Sequence, residues 1–250
     1  MNRTVERTFA ILKLIANSES GITLQEISDT MDMAKSSAFV IVHSLLELNY
    51  VKKDDNNEKK YRLGIEAFKL GSKYIQDVGM VKQCAQYLSP LVDKYVKTGF
   101  LAVLNGCDVV YLYKYVAQNA QLATCAIGST RPAHATALGK AILAFLPEDK
   151  MLSIVDQIRF VPYTPHTITS KEALLHELKL IRQRGYSTER GELSNMTFCC
   201  SAPVFDYTGS VIAAISLADF AMEGDNEEAL AADLIKTANE LSKTLGYISD

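Results

Sequence analysis

No stretch of this 250-residue chain approaches the roughly 18 consecutive apolar residues that a membrane-spanning helix needs. Met1 to Arg7 is charged and leads into no apolar signal core, so a soluble, cytoplasmic protein is expected. Cysteine is scarce and unpatterned. Cys84, Cys107, Cys125, Cys199 and Cys200 are odd in number and contain no Cys-x-x-Cys, which argues against a zinc ribbon and a disulfide framework. Positive charge is not in excess either. The net charge is -3, and residues 1–64 set nine Lys and Arg against nine Asp and Glu. Any acidic partner must therefore be recognised by where charges sit, not by how many there are. Low-complexity tracts, internal repeats, phosphate loops and nucleophile elbows are also missing. What is plentiful is apolar: 48% of residues, enough for packed cores.

Val5, Phe9, Leu12 and Ala16 recur at helical spacing and mark one face of a first helix. Gly21 ends that segment. Thr23 with Glu26 forms a capping box for a second helix over about Leu24–Met31, burying Leu24, Ile27 and Met31. A turn at Asp32-Met33-Ala34 leads to a third helix with Ala38, Ile41, Val42, Leu45 and Leu48 in one stripe. Two helices joined by so short a turn, with a third supporting them, form a helix-turn-helix. The opposite face of the third helix carries Ser36, Phe39, Val40, His43, Ser44 and Glu47, and the N-terminal residues placed to touch base edges are Lys35, Ser36, Ser37, Phe39 and Val40. Lys35 suits phosphate or guanine, the serines suit phosphate or either kind of base, and Phe39 and Val40 offer apolar contact to thymine methyls. Two alternating runs follow, Tyr50–Lys53 and Lys59–Leu63, separated by a polar turn. They read as a β-hairpin wing with Val51, Tyr61 and Leu63 inward and Lys52, Lys60 and Arg62 outward. A charge run is usually only a solvated face. Beside a recognition helix, the wing cations, Lys60 and Arg62 above all, are placed for the phosphate backbone.

Gly64 ends the wing, and helical periodicity resumes over Ile65–Ile75 and again from Val81 to about Thr98, interrupted at Gly79. The expected division is residues 1–64 as a DNA-binding domain, 65–80 as a helical linker and 81–250 as a second domain. From Phe100 the pattern turns to strands: a hairpin over Phe100–Val116 and a third strand at Leu122–Ile127. A helix over His134–Leu146 follows, then another opened by a Thr169–Glu172 capping box and closed at Gly185. A second hairpin covers Cys199–Ala218, and a last helix about Asn226–Leu245. The fold class is α+β with a mostly antiparallel sheet.

Gly128-Ser-Thr-Arg-Pro-Ala-His134-Ala-Thr-Ala-Leu-Gly139-Lys140 resembles the effector-domain signature of IclR-type transcriptional regulators. So do Ile181-Arg-Gln-Arg-Gly-Tyr186, Cys199-Cys-Ser-Ala-Pro-Val-Phe205 and Val211-Ile-Ala-Ala-Ile-Ser216. Thr4–Arg7, Lys35-Ser36-Ser37 and Asn49-Tyr50-Val51 fit the same family. The resemblance covers nearly the whole chain in order. It implies an N-terminal winged helix-turn-helix, a GAF-like effector-binding domain, dimers or tetramers on double-stranded operator DNA, and a repressor controlled by a small organic, sugar-derived or aromatic acid. Carried over, the effector positions are Ala123, Ala137, Leu138, Glu189, Cys199, Ser216 and Ala218. The chain departs from the family where a His-Arg pair is replaced by Phe39-Val40, and where an Arg before the cysteine is replaced by Phe198.

Rival readings use the same residues. Cys199 or Cys200 with His134 as base would make a cysteine-dependent enzyme. However, a cysteine pair in an apolar strand more often packs as small hydrophobes, so no catalytic residue is expected. A metal held by His134, Cys125 and Cys199 matches no standard spacing, and neither metal nor cofactor is expected. One winged helix covers only a half-site, which calls for a homo-oligomer, with the helices over Ile65–Thr98 as candidate contacts.

Overall fold

Helix α1 (Arg3–Ala16) starts at Asn2, whose side chain accepts hydrogen bonds from the amides of Thr4 and Val5. It carries two apolar stripes, and the core takes the one built on Ile11 and Ile15. Val5 and Phe9 stay exposed, so the periodicity read at Val5, Phe9, Leu12 and Ala16 is helical but is not the core face. Strand β1 (Ile22–Thr23) precedes α2 (Leu24–Thr30), and the Thr23–Glu26 capping box forms as its spacing predicts. α3 (Lys35–Glu47) follows, burying Ala38, Val42 and Leu45. Leu48, expected in that stripe, is its C-cap and is 61% exposed. β2 (Val51–Lys53) and β3 (Lys60–Leu63) make the hairpin, and β3 also pairs with β1 in the order β1-β3-β2. Val51 is buried and Tyr61 packs on the core, but Leu63 is exposed. Gly64 closes the wing where only glycine fits, since a Cβ there would lie 2.1 Å from the Asn49 carbonyl oxygen. α4 (Ile65–Asp77) ends this part.

The computed structural model describes residues 2–77, 79–122, 125–220 and 227–248, with the side chains of 74–77 outside that description. The chain divides into two compact units, residues 1–78 and 79–250. The second opens with α5 (Met80–Tyr95), stopped by Val96 in the left-handed region, so β4 (Thr98–Asn105) begins two residues earlier than its apolar run suggests. β5 (Asp108–Val116) completes the first hairpin.

The expected strand over Leu122–Ile127 is not found among its described residues. Positive φ at Cys125 and Gly128 turns the backbone, and the third strand is β6 (Thr130–Pro132). The helix read from His134 is likewise split. Residues 133–135 form a 3-10 turn, Thr136 is extended, and α6 (Ala137–Phe145) starts after it. α7 (Glu148–Val155) comes next. α8 (Lys171–Arg184) is capped by Ser170, which accepts from Ala173 N–H, so the Thr169–Glu172 box is corrected by one residue. Gly185 ends it in the left-handed conformation. β7 (Ser187–Arg190), β8 (Thr197–Phe205), β9 (Val211–Phe220) and α9 (Glu227–Thr244) finish the unit.

All described pairings are antiparallel, and the six strands run β6-β5-β4-β9-β8-β7. β8 and β9 are buried along most of both faces. α6 and α8 pack over the face carrying Phe100, Ala102, Ala214 and Ala218, while α5 and α9 pack together on the other. Among the described residues no helix is long and apolar enough to cross a membrane.

Candidate nucleic-acid interface and ligand cavity

The turn between α2 and α3 is fixed by Ser28, whose hydroxyl donates to the Met33 carbonyl at 2.7 Å, and by Asp32 at φ 46°. α3 then begins at Ala34, which has no side-chain oxygen to cap it. The first amides of any helix lack intrahelical acceptors, so those of Lys35 and Ser36 are left for an outside partner. Lys35, Ser36, Ser37 and His43 are all exposed; Phe39 is 49% exposed and Val40 64%. Phe39 stacks obliquely on His43 with centroids 5.4 Å apart, and His43 Nδ1 lies 3.3 Å from Glu47. All six residues read as a recognition surface are thus solvent-exposed.

The wing is arranged differently from its alternation. Arg62 pairs with buried Asp54 and donates to the Glu19 carbonyl at 2.9 Å, and Lys60 Nζ donates to the Ser20 carbonyl at 3.2 Å. Asp54 in turn accepts from the amides of Asn56 and Asn57, and the Arg62 guanidinium holds its carboxyl below the usual range. These cations fasten the wing to the loop after α1 and are only half-exposed. Lys53 and Lys59, which pattern reading passed over, are exposed and have no ion-pair partner among the described residues.

In the second unit, cross-strand register builds a floor in two rows. One row is Ser187, Ser201, Ser216 and Phe100; the next is Glu189, Cys199, Ala218 and Thr98. Phe100 meets Tyr111 edge-on at 5.1 Å. α6 lies above, tied down by the Ser187 hydroxyl donating to the Ala137 carbonyl at 2.6 Å. Its fit is tight: a Cβ on Gly139 would come within 2.3 Å of the Ala133 carbonyl oxygen. Thr136 caps α6 by accepting from Gly139 N–H at 3.2 Å, which leaves the buried amides of Ala137 and Leu138 at the open end.

Between floor and helix is a cavity of about 680 Å³. Ala137, Leu138, Glu189, Cys199, Ser216 and Ala218 all line it; Ala123 lies outside the described residues. Sequence reading missed Tyr111 and Arg131, the latter the only cation among the described lining residues. Ser216 is 1% exposed and lines the cavity. Glu189 is buried. Its Oε1 accepts from Glu192 N–H (2.5 Å) and Leu193 N–H (3.2 Å), while burial pushes its carboxyl pKa up. The Cys199 thiol is pushed well up, first by burial and then by Glu189, so it stays protonated.

Cys125 and Cys199 line the cavity, but His134 does not. His134 packs on Phe160 and Tyr163, bonds to the Val161 backbone, and burial lowers its pKa. Among the described residues no three His, Cys, Asp or Glu side chains converge at metal-binding separation.

Comparison with known proteins agrees with this geometry. Residues 4–55 match the IclR helix-turn-helix domain model, and residues 72–243 match the bacterial transcriptional regulator IclR C-terminal model. The HTH-type transcriptional regulator KdgR of Dickeya chrysanthemi is 32% identical over 246 residues, 98% of this chain and 80% of that protein. The repressor BlcR of Agobacterium tumefaciens is 29% identical in sequence. Its crystal structure superposes with TM-score 0.63 over 100% of this chain and 99% of that one. An IclR homologue from Microbacterium hydrocarbonoxydans, solved with 4-hydroxybenzoate, shares the fold at TM-score 0.85 and 19% identity, over 97% and 98% of the two chains. Two matched family models together spanning most of the chain, a relative above 30% identity and a shared fold lead to one assignment: this chain belongs to the IclR family of bacterial transcriptional regulators.

Proposed function

We propose that the chain is a cytoplasmic repressor that holds operator DNA through residues 1–64 and releases it when a small monocarboxylate enters the cavity of residues 81–250, with residues 65–80 joining the two. The observation that carries the reading is the open end of α6. Ala137 and Leu138, whose amides open the helix, and the buried residue Ser216 line the same cavity. A helix N-terminus of this kind attracts an anion, and Arg131 adds a cation to the same lining. The apolar walls from Phe100, Leu122, Leu138 and Ala218 suit a carbon skeleton. Effectors of the small organic, sugar-derived or aromatic acid classes fit this description, and the 4-hydroxybenzoate held by the Microbacterium homologue is one such acid.

On the DNA side, Lys35, Ser36, Ser37, Phe39, Val40 and His43 face bases and phosphates, with Lys53 and Lys59 at the wing joining Lys60 and Arg62. The protein acts as a homodimer or a pair of dimers. Exposed Ile65, Phe68 and Leu70 on α4 supply apolar contact area that one copy leaves uncovered.

The deciding experiment is a thermal-shift screen of the full chain against small carboxylates, sugar acids and aromatic acids, followed by operator release measured with the best ligand. A ligand at about 100 times its dissociation constant stabilises by nearly 3 kcal/mol. Stabilisation lost in Ser216→Leu supports the site. A ligand that stabilises Ser216→Leu as well as the unaltered chain places the effector elsewhere.

A further inference from the structure

One side of the cavity is walled by two segments that neither strand nor helix periodicity describes. Residues 191–196 supply Leu193, Ser194 and Met196 to its wall, and the stretch before α8 supplies Tyr163. These segments are bonded to one another: the Thr164 hydroxyl donates to the Gly191 carbonyl at 2.6 Å, and the Thr167 hydroxyl to the Glu192 carbonyl at 2.5 Å. They are also bonded downward, since Glu189 accepts from the amides of Glu192 and Leu193. One further link reaches α6. Lys140, one turn after Ala137 and 1% exposed, pairs with Glu192, 8% exposed, inside an otherwise apolar helix, Ala-Leu-Gly-Lys-Ala-Ile-Leu-Ala.

That pair is poorly explained by stability. Each member makes one described bond to the other, and Glu192 Oε2 has no partner. A buried ion pair with so few supporting hydrogen bonds gains little over a packed apolar pair. What it does provide is position, because it joins the cavity's cover to the helix whose first amides face the ligand. We infer that Lys140 and Glu192 are positioning residues that latch the cover of the effector cavity onto α6. The purpose of the latch rests on the effector reading of the cavity; the fastening itself is independent of it. Opening the latch exposes the cavity while leaving sheet and DNA-binding unit intact. Glu177, on α8, and Glu189 are the other charges near Glu192; neither is a cation, and neither can replace Lys140.

Hydrogen–deuterium exchange on the full chain, without any ligand, tests this. The Lys140→Met/Glu192→Leu double variant replaces the pair by apolar side chains that the interior tolerates. Its amides in residues 163–167 and 191–196 are expected to exchange at least tenfold faster, with those of β9 and α9 within twofold of the unaltered protein. Glu192→Gln, which keeps an acceptor for Lys140 but no charge, is expected to give a smaller, roughly threefold change in the same segments. Unchanged exchange in the cover of both variants overturns the inference. So does acceleration spread evenly over β9 and α9, which would make the pair a general support of the fold. Because no ligand is added, failure of the latch and failure of the effector reading are told apart.

Discussion

The N-termini of α3 and α6 both leave amides free for an anion, and they differ sharply in burial. α3 starts at Ala34 with no side-chain cap and lies at the surface, with Lys35, Ser36 and Ser37 exposed around its first turn. α6 starts at Thr136, is capped at its third amide, and has Ala137 and Leu138 at 1% and 3% exposure. The first suits a phosphate met in bulk solvent, where each contact is weak and many are summed. The second suits a single carboxylate enclosed by apolar walls, where one dipole counts for more because water does not screen it. On the proposed function, the same local chemistry would serve a long polymer at one site and a small molecule at the other, and burial would decide which.

The largest expected effect breaks the inner site. Leu138→Glu puts a carboxylate at the open end of α6. Two like charges about 4 Å apart repel by about 4 kcal/mol at an effective dielectric near 20. Effector affinity, measured by calorimetry, should fall at least 100-fold, while DNA affinity without effector stays within about threefold. Retained effector binding would show that no anion sits at α6.

Salt should separate the two termini next. Each phosphate contact costs about 3.5-fold in DNA affinity between 50 and 200 mM salt, from a slope near -0.9 per contact. Effector affinity should change less than about twofold, because buried contacts are screened much less than surface charges. Lys53→Ala and Lys59→Ala should each lower the DNA slope by about 0.9, and Arg62→Ala by less, since Arg62 is already engaged by Asp54. Equal slopes for all three would put Arg62 on the phosphates despite its ion pair.

How much of this could be read beforehand depends on the range of the interaction. The Thr23–Glu26 box lies within four residues and forms as spelled. Six of the seven cavity positions come together because the resemblance brought long-range register with it. The failures are of two kinds. At the start of α8, Thr169 and Ser170 are both good caps. Glu172 favoured the first, but the extended backbone falls at the second. β7 was invisible because its inward side chains, Ser187 and Glu189, are polar and are used for bonds to α6 and to the cover. The wing cations show the longer-range limit. Alternation puts Lys60 and Arg62 outward, yet their partners Ser20 and Glu19 lie 40 and 43 residues away along the chain.

Exchanging the caps sharpens the contrast at the level of about 1 kcal/mol, the usual worth of an N-cap. Thr136→Ala should destabilise the chain by that amount in urea unfolding and weaken effector binding with it, since the cap sets the direction of α6. Ala34→Asp should do the reverse for stability, adding a cap to α3, yet weaken DNA binding by bringing a negative charge to a phosphate site. If Ala34→Asp strengthens DNA binding, the first turn of α3 does not face phosphate.

The smallest effect concerns pH and the ring beside the cavity. Burial lowers the pKa of His134 from its ordinary 6.5, so the folded state prefers the neutral ring. The unfolded chain then binds the proton more readily, and stability that is complete above about pH 6.5 is lost as pH falls toward the folded value. Glu189 and Glu192 act in the opposite sense. Burial raises both above 4.5, so their contribution is fullest in acid and declines as pH rises through the folded values. His134→Asn keeps an N–H to offer the Val161 carbonyl but cannot titrate. Urea midpoints between pH 7.5 and 5 should therefore fall less steeply in the variant, by at most one proton's worth of slope. An identical slope in both proteins would mean that His134 is already free to charge in the folded state, and that the wall it forms with Phe160 and Tyr163 admits water.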